Sequence, residues 1–188
     1  MTSALDRELP IRELAPDEAH RLAEIDRSER IRVGYAVEHG RLQSMAVEWD
    51  ALGWGRERNG DGSVGRRIEQ LQGRLDAGDT GLGVFEDTSD GELLVAYIVL
   101  HERLTPDTAQ LAELFVSRSW RRRGLARRLT AELIERARAG GARSLYVSSA
   151  PTESAVGFYR SQGFELSAKP DPELYRLEPD DIHMLREL

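Results

Sequence analysis

The stretch from Gln110 to Ala139 constrains the fold of this chain more than any other. An apolar run from Gln110 to Val116 reads as a strand, and a polar, arginine-bearing loop follows it. Leu125, Leu129, Leu133 and Ala137 then recur every four residues, which predicts a helix over Gly124 to Ala139 with one buried face. Gly124 and Ala126 stand where that helix begins. Small side chains there let backbone N–H groups approach an anion closely, and the helix dipole favours negative charge. A strand delivering such a loop to a helix start predicts a phosphate-bearing ligand.

Charge sharpens that reading. The 188 residues carry a net charge of −7, which excludes nucleic-acid binding by bulk electrostatics. Within the acidic background, positions 118 to 128 hold six arginines and no acid. Such a local reversal attracts a polyanion, although a solvated arginine-rich helix start would look the same. With no cysteine, disulfides, thiolate catalysis and cysteine-ligated zinc are excluded. His20, His39, His101 and His183 lie too far apart for metal-ligand spacing, so no metal is expected. No run of about 18 apolar residues and no signal-peptide pattern occur, so the expectation is a cytoplasmic protein with no membrane partner.

Length and the absence of a linker predict one domain over 1–188, with Met1 to Arg7 as a disordered lead-in. A short strand is expected at Leu9 to Leu14 and a helix opening at Pro16. Alternation at Ile31, Val33, Tyr35 and at Met45, Val47, Trp49, with His39-Gly40 between, reads as a hairpin. Asn59 to Gly62 marks a loop, and a helix is expected from Val64 to Ala77. Gly81 to Glu86 and Glu92 to Leu100 read as strands joined at residues 87 to 91. Gly140-Gly141 ends the long helix, Ser144 to Ser149 is another strand, and Pro151-Thr152 opens a short helix through Ser161. Strands at Phe164 to Ser167 and Ile182 to Leu188 complete the reading.

Two segments in this order carry a specific resemblance. They are Arg121-Arg122-Arg123-Gly124-Leu125-Ala126 and Thr152 to Phe164, the latter containing Phe158-Tyr159 separated by three residues from Gly163-Phe164. Together they resemble the GNAT superfamily of acetyl-CoA-dependent N-acetyltransferases, closely over roughly Leu111 to Leu166. The resemblance implies an α/β (α+β) fold. Its sheet is mixed, mostly antiparallel and twisted, with six to seven strands, helices on both faces and a central V-shaped splay.

It also implies where acetyl-CoA lies. Backbone N–H groups of Arg121, Arg122, Arg123, Gly124, Leu125 and Ala126 would hold the pyrophosphate, and the arginines, Arg127 among them, would add charge. Backbone groups of Leu114, Phe115 and Val116 would hold the acetyl carbonyl and the pantetheine amides. Thr152 stands where many members carry an asparagine that bonds the pantetheine arm; its hydroxyl could equally cap the helix. Tyr159 corresponds to the tyrosine that donates a proton to the departing sulfur, or only positions it.

The base is more open. Glu113 is the only acid on the central strand, whereas some relatives place a base at the position of Ala112 and others at that of Val147. Glu113 could instead bind the amine or form a salt bridge, and Glu29 is a fainter candidate for gripping a cationic acceptor. Residues 30–65, with Tyr35, Trp49 and Trp54, are expected to meet the acceptor, although these aromatics also suit a core. The implied reaction moves an acetyl group to a primary amine of a small molecule or peptide, by direct attack in a ternary complex. A non-catalytic acyl-CoA-binding module of the same fold is the alternative. No nucleic-acid partner is expected; a homodimer and a larger acyl donor are left open.

Overall fold

A computed structural model describes residues 9–54 and 63–188 of the chain. Strand β1 (Ile11–Glu13) is followed by a 3₁₀ helix (Pro16–Glu24), with Pro16 at its first position, where the missing N–H costs nothing. Strands β2 (Glu29–Glu38) and β3 (Arg41–Ala51) form the hairpin that alternation predicts. His39 and Gly40 turn it, both at positive φ (49° and 71°), as a two-residue type I′ connection requires. The predicted loop at Asn59 to Gly62 and the disordered lead-in Met1 to Arg7 lie outside the described residues.

Helix α1 (Val64–Asp76) starts at Ser63, whose hydroxyl accepts from the Arg66 N–H at 3.3 Å. Strands β4 (Thr80–Thr88), β5 (Gly91–Thr105) and β6 (Thr108–Val116) then run as an antiparallel meander. Helix α2 (Leu125–Ala139), strand β7 (Ser144–Ser149), helix α3 (Glu153–Ser161) and strand β8 (Glu165–Leu166) follow. Helix α4 (Pro172–Leu177) and strand β9 (Ile182–Glu187) close the chain. The main sheet has seven strands in the order β1-β4-β5-β6-β7-β9-β8, antiparallel except where β6 meets β7. This is the mixed, mostly antiparallel sheet that the resemblance implies.

Two apolar layers cover the sheet. On one face Leu125, Leu129, Leu133 and Ala137 of α2 pack with Val156 and Tyr159 of α3 over Ala96, Ile98, Ala109 and Leu111. The four-residue repeat is thus the buried stripe of α2. On the other face Ala19 and Leu22 of the 3₁₀ helix and Leu71 and Leu75 of α1 pack over Phe85, Tyr97 and Val99. Each buried leucine contributes roughly 1.5–3 kcal/mol, so these stripes hold the helices to the sheet. Among the described residues no helix is long and apolar enough to cross a membrane.

Two irregularities in β6 prepare the site. The first is its short pairing with β7, which covers only Thr108–Gln110 against Ser144–Tyr146. Beyond Gln110 the strands part: β6 stays on β5 as far as Val116, and β7 stays on β9 as far as Ser149. The second is a bulge. Val99 faces Glu113 and Leu100 faces Leu111, so Ala112 is an extra residue on β6.

Candidate active site

The bulge decides which way the acid points. Strict alternation would send Ala112 and Glu113 to opposite faces. Ala112 instead packs with the α1 cluster, and Glu113, paired with Val99 of that cluster, turns to the same side. Its side chain is 8% exposed and accepts a hydrogen bond from the Tyr97 hydroxyl at 2.7 Å, while Arg74 Nε lies 3.8 Å away. Burial raises the carboxyl above its ordinary range, opposed by the Tyr97 bond and by Arg67 and Arg74. A buried carboxyl raised above its ordinary range suits proton transfer.

Around Glu113 stands an aromatic wall. Phe115 stacks on Tyr97 with ring centroids 5.6 Å apart, and Trp54 meets Phe115 at 5.5 Å. Trp54 donates its Nε1–H to the Ile25 carbonyl at 2.7 Å, and the Arg27 guanidinium lies 4.7 Å over its ring. Of the other two aromatics expected at the acceptor, Tyr35 packs against the α2 core and Trp49 is half exposed on the hairpin.

The opposite face carries the loop. After β6 a 3₁₀ turn (Arg118–Trp120) leads to Arg122, a non-glycine residue at φ 62°, and to Gly124 at φ 83°, the N-cap of α2. A β-carbon added at Gly124 would meet no heavy atom within 4 Å, so the space above the loop is open. Among the described residues, the amides of Arg122, Arg123, Gly124, Leu125, Ala126 and Arg127 donate to no protein acceptor outside α2, and the helix's own ladder begins beyond them. That concave run of N–H groups fits a diphosphate.

The arginines divide their work. Arg122, Arg123 and Arg127 are exposed beside the amide run, with Arg123 lying 4.6 Å over the Trp120 ring. Arg121 turns inward. Its Nε donates to the Val116 carbonyl at 3.1 Å, its second amino group donates to the Arg27 carbonyl at 3.0 Å, and Glu29 lies 3.6 Å away. Glu29 is therefore engaged by Arg121. Two further bonds hold the same junction: Arg118 N–H to the Asp26 carbonyl at 2.8 Å, and Asp26 N–H to the Ser117 hydroxyl at 3.0 Å.

Leu114, Phe115 and Val116 are half-buried along the open edge of β6. Tyr159 lies on α3 at 7% exposure, its ring edge-on to Phe158 and Phe164 at 5.3 and 5.5 Å. Burial, and then the charge of Asp181, push its phenol well above the usual tyrosine range, so it stays protonated. Its hydroxyl makes no hydrogen bond among the described residues. Thr152 caps α3, accepting from the Ala155 N–H at 3.3 Å. Hairpin residues close over this end of the gap, with the Tyr35 N–H donating to the Pro151 carbonyl at 2.9 Å.

Sequence reasoning missed Tyr97, Arg27, Arg67, Arg74 and Asp181. Tyr97 sits in a continuous apolar run that reads as core. Arg67 and Arg74 read as solvated helix charges, although their spacing around Leu71 sets them on one stripe with it. Asp181 immediately precedes Ile182, which pairs with Ser149 at the open end of β7. Burial, then Glu178 and Asp180, raise its carboxyl from 3.8 to about 6, and Arg67 opposes them. Arg67 thus favours the charged forms of Asp181 and Glu113, and Asp181 in turn raises Tyr159.

The sequence profile described as the Acetyltransferase (GNAT) family matches residues 43–164, most of the chain and all of the cofactor-side motifs. The chain belongs to the GNAT acetyltransferase family. Solved structures show the same fold at low identity. Nourseothricin acetyltransferase is 18% identical, with a TM-score of 0.70 over 96% of this chain and 99% of that one. A protein assigned as a streptothricin acetyltransferase from Bacillus anthracis strain Ames, in complex with acetyl coenzyme A, is 17% identical. Its TM-score is 0.69, over 97% of this chain and 99% of that one. The PaiA N-acetyltransferase of Thermoplasma acidophilum, in complex with coenzyme A, is 15% identical, with a TM-score of 0.61 over 97% and 100%. No curated protein sequence matches this chain.

Proposed function

We propose that this GNAT chain transfers an acetyl group from acetyl-CoA to a primary amine of a small molecule or peptide, by direct attack in a ternary complex. The observation that carries the reading is the opened β6–β7 ladder. It joins an unpartnered amide run on the α2 face to a buried carboxyl on the α1 face. Acetyl-coenzyme A complexes of a protein with this fold support the donor.

Acetyl-CoA supplies the activated thioester and a thiolate leaving group. The amides of Arg122 to Arg127 hold its diphosphate, and Arg122, Arg123 and Arg127 add positive charge beside it. The open edge of β6 from Leu114 to Val116 offers backbone N–H and carbonyl groups to the pantetheine arm and the acetyl oxygen. An alkylamine has a pKa near ~10 and arrives protonated, so a base must free its lone pair. Glu113 takes that proton, directly or through water, while Tyr97 holds the carboxylate in place. Tyr159, kept protonated and with no hydrogen-bond partner among the described residues, gives its proton to the sulfur. The two groups lie on opposite faces of the sheet and meet only through the gap, which suits a donor and an acceptor entering from opposite sides.

Thiol release from acetyl-CoA, followed across amino acids, polyamines, aminoglycosides and peptide N-termini, tests the reading. Amine-dependent release with a matching N-acetylated product is expected. Tight acetyl-CoA binding with no amine-dependent release would favour a non-catalytic acyl-CoA module instead.

A further inference from the structure

Two cations on the acceptor side, Arg27 and Arg67, form no ion pair among the described residues. Arg27 forms no ion pair among the described residues; its guanidinium rests on the Trp54 ring at 4.7 Å. Arg67 likewise has no carboxylate within ion-pair distance among them, and its Nε is buried without a hydrogen-bond acceptor. The two guanidinium groups repel each other, and both act electrostatically on the buried Tyr97. A guanidinium is well satisfied by a planar anion that accepts from its fork of N–H donors.

Arg27 and Arg67 occupy the end beside Trp54 and α1. Arg67 also favours the charged forms of Glu113 on β6 and Asp181 before β9, while Glu178 and Asp180 raise Asp181. Arg74 is not free to join the cationic end, because Asp79 holds it at 3.2 Å and Glu113 lies 3.8 Å away. The unpaired guanidinium groups favour an anion, and the acids favour an ammonium group.

We infer that the acceptor is an amino acid, whose carboxylate lies between Arg27 and Arg67 while its amine faces Glu113. The inference rests on the amine-acetylation reading above and names the substrate class of that site. A diamine would leave the Arg67 Nε without an acceptor and would set a second ammonium group against two arginines. A free carboxylate removes both costs, and the Trp54–Phe115 wall supports the amino acid's side chain.

The test compares matched acceptors in the intact enzyme. Each common amino acid is paired with its carboxamide, 1,5-diaminopentane is added, and kcat/KM is read from thiol release. The free acid of the preferred pair is expected to exceed its carboxamide by ten-fold or more. In Arg67→Gln that preference falls to within two-fold of one, and Arg67→Lys recovers part of it. Carboxamides or the diamine equalling or exceeding the acids in the unaltered enzyme would overturn the inference. So would an Arg67→Gln enzyme that loses rate equally for acid and carboxamide, because Arg67 would then serve Glu113 alone. Should Arg67→Gln fail to fold, the unaltered enzyme's comparison and Arg27→Gln decide. If no amine of any class raises thiol release above the amine-free rate, the acetylation reading itself falls, and this inference falls with it.

Discussion

Replacing Tyr97 by phenylalanine removes one oxygen from the interior and asks whether Glu113 carries the proton. Tyr97 is fully buried, and its ring stacks on Phe115, so the substitution keeps the packing and deletes only the 2.7 Å bond to the carboxylate. A hydrogen bond to a charged group contributes about 1.5–3 kcal/mol, and one to a neutral group about 0.5–1.5 kcal/mol. The ionised carboxyl thus loses roughly 1–1.5 kcal/mol more than the protonated one, which corresponds to about one pH unit. Burial already raises Glu113, and the lost bond raises it further. The acidic limb of kcat/KM against pH should therefore move upward by about one unit, with the rate recovering on the alkaline side. A carboxyl raised in the folded state destabilises the fold above its unfolded value, so the loss in melting temperature should be larger at pH 7 than at pH 4. An unmoved acidic limb, with stability lost equally at both pH values, would refute Glu113 as the base.

Three further outcomes follow from the site. Tyr159→Phe should lower kcat by about 100-fold or more while acetyl-CoA affinity by calorimetry stays within about three-fold. Equal losses in both would remove the proton-donor role. At Gly124, φ is 83° and a β-carbon meets nothing, so Gly124→Ala should cost only about 1 kcal/mol, or roughly 2–4 °C in melting temperature. Gly124→Glu should cost similar stability yet abolish coenzyme A binding, and retained affinity would displace the diphosphate from this loop. Asp181 has its carboxyl raised from 3.8 to about 6, so the folded state keeps a proton there that the unfolded chain releases. Its destabilising effect develops between about pH 4 and 6 and is complete above. Asp181→Asn should melt higher than the parent at pH 7.5 and equally at pH 4; a constant difference would show that charge is not the cause.

The motifs that declare the cofactor side are local, and local order is what a sequence displays. Gly124, the arginines before it and the four-residue stripe of α2 lie within thirty residues, and strand, loop and helix follow from them directly. The hairpin is fainter in the sequence, although alternation and the His39-Gly40 turn are short-range signals too. The acceptor side draws on distant segments instead. Arg27, Trp54, Arg67, Tyr97, Glu113 and Asp181 come from six places, and each alone resembles an ordinary core or surface residue. The bulge at Ala112 is set by pairing with β5, so alternation along β6 alone misplaces Glu113 relative to its neighbour. Helix α4 was missed because its six residues, opened by Pro172, are too few to show a period. Arg121 carries no local sign that it faces inward, since Arg27 and Glu29, two of its partners, lie more than ninety residues earlier.

The inward turn of Arg121 has a mechanical consequence. With Arg118, Asp26 and Ser117 it stitches the segment before β2 to the turn that leads into α2. The wall carrying Arg27 and the cradle formed by the following amides are thus one stiff unit. Seating a nucleotide on one side of the sheet fixes the posture of the other, so the two ligands would be felt by each other before any bond is exchanged.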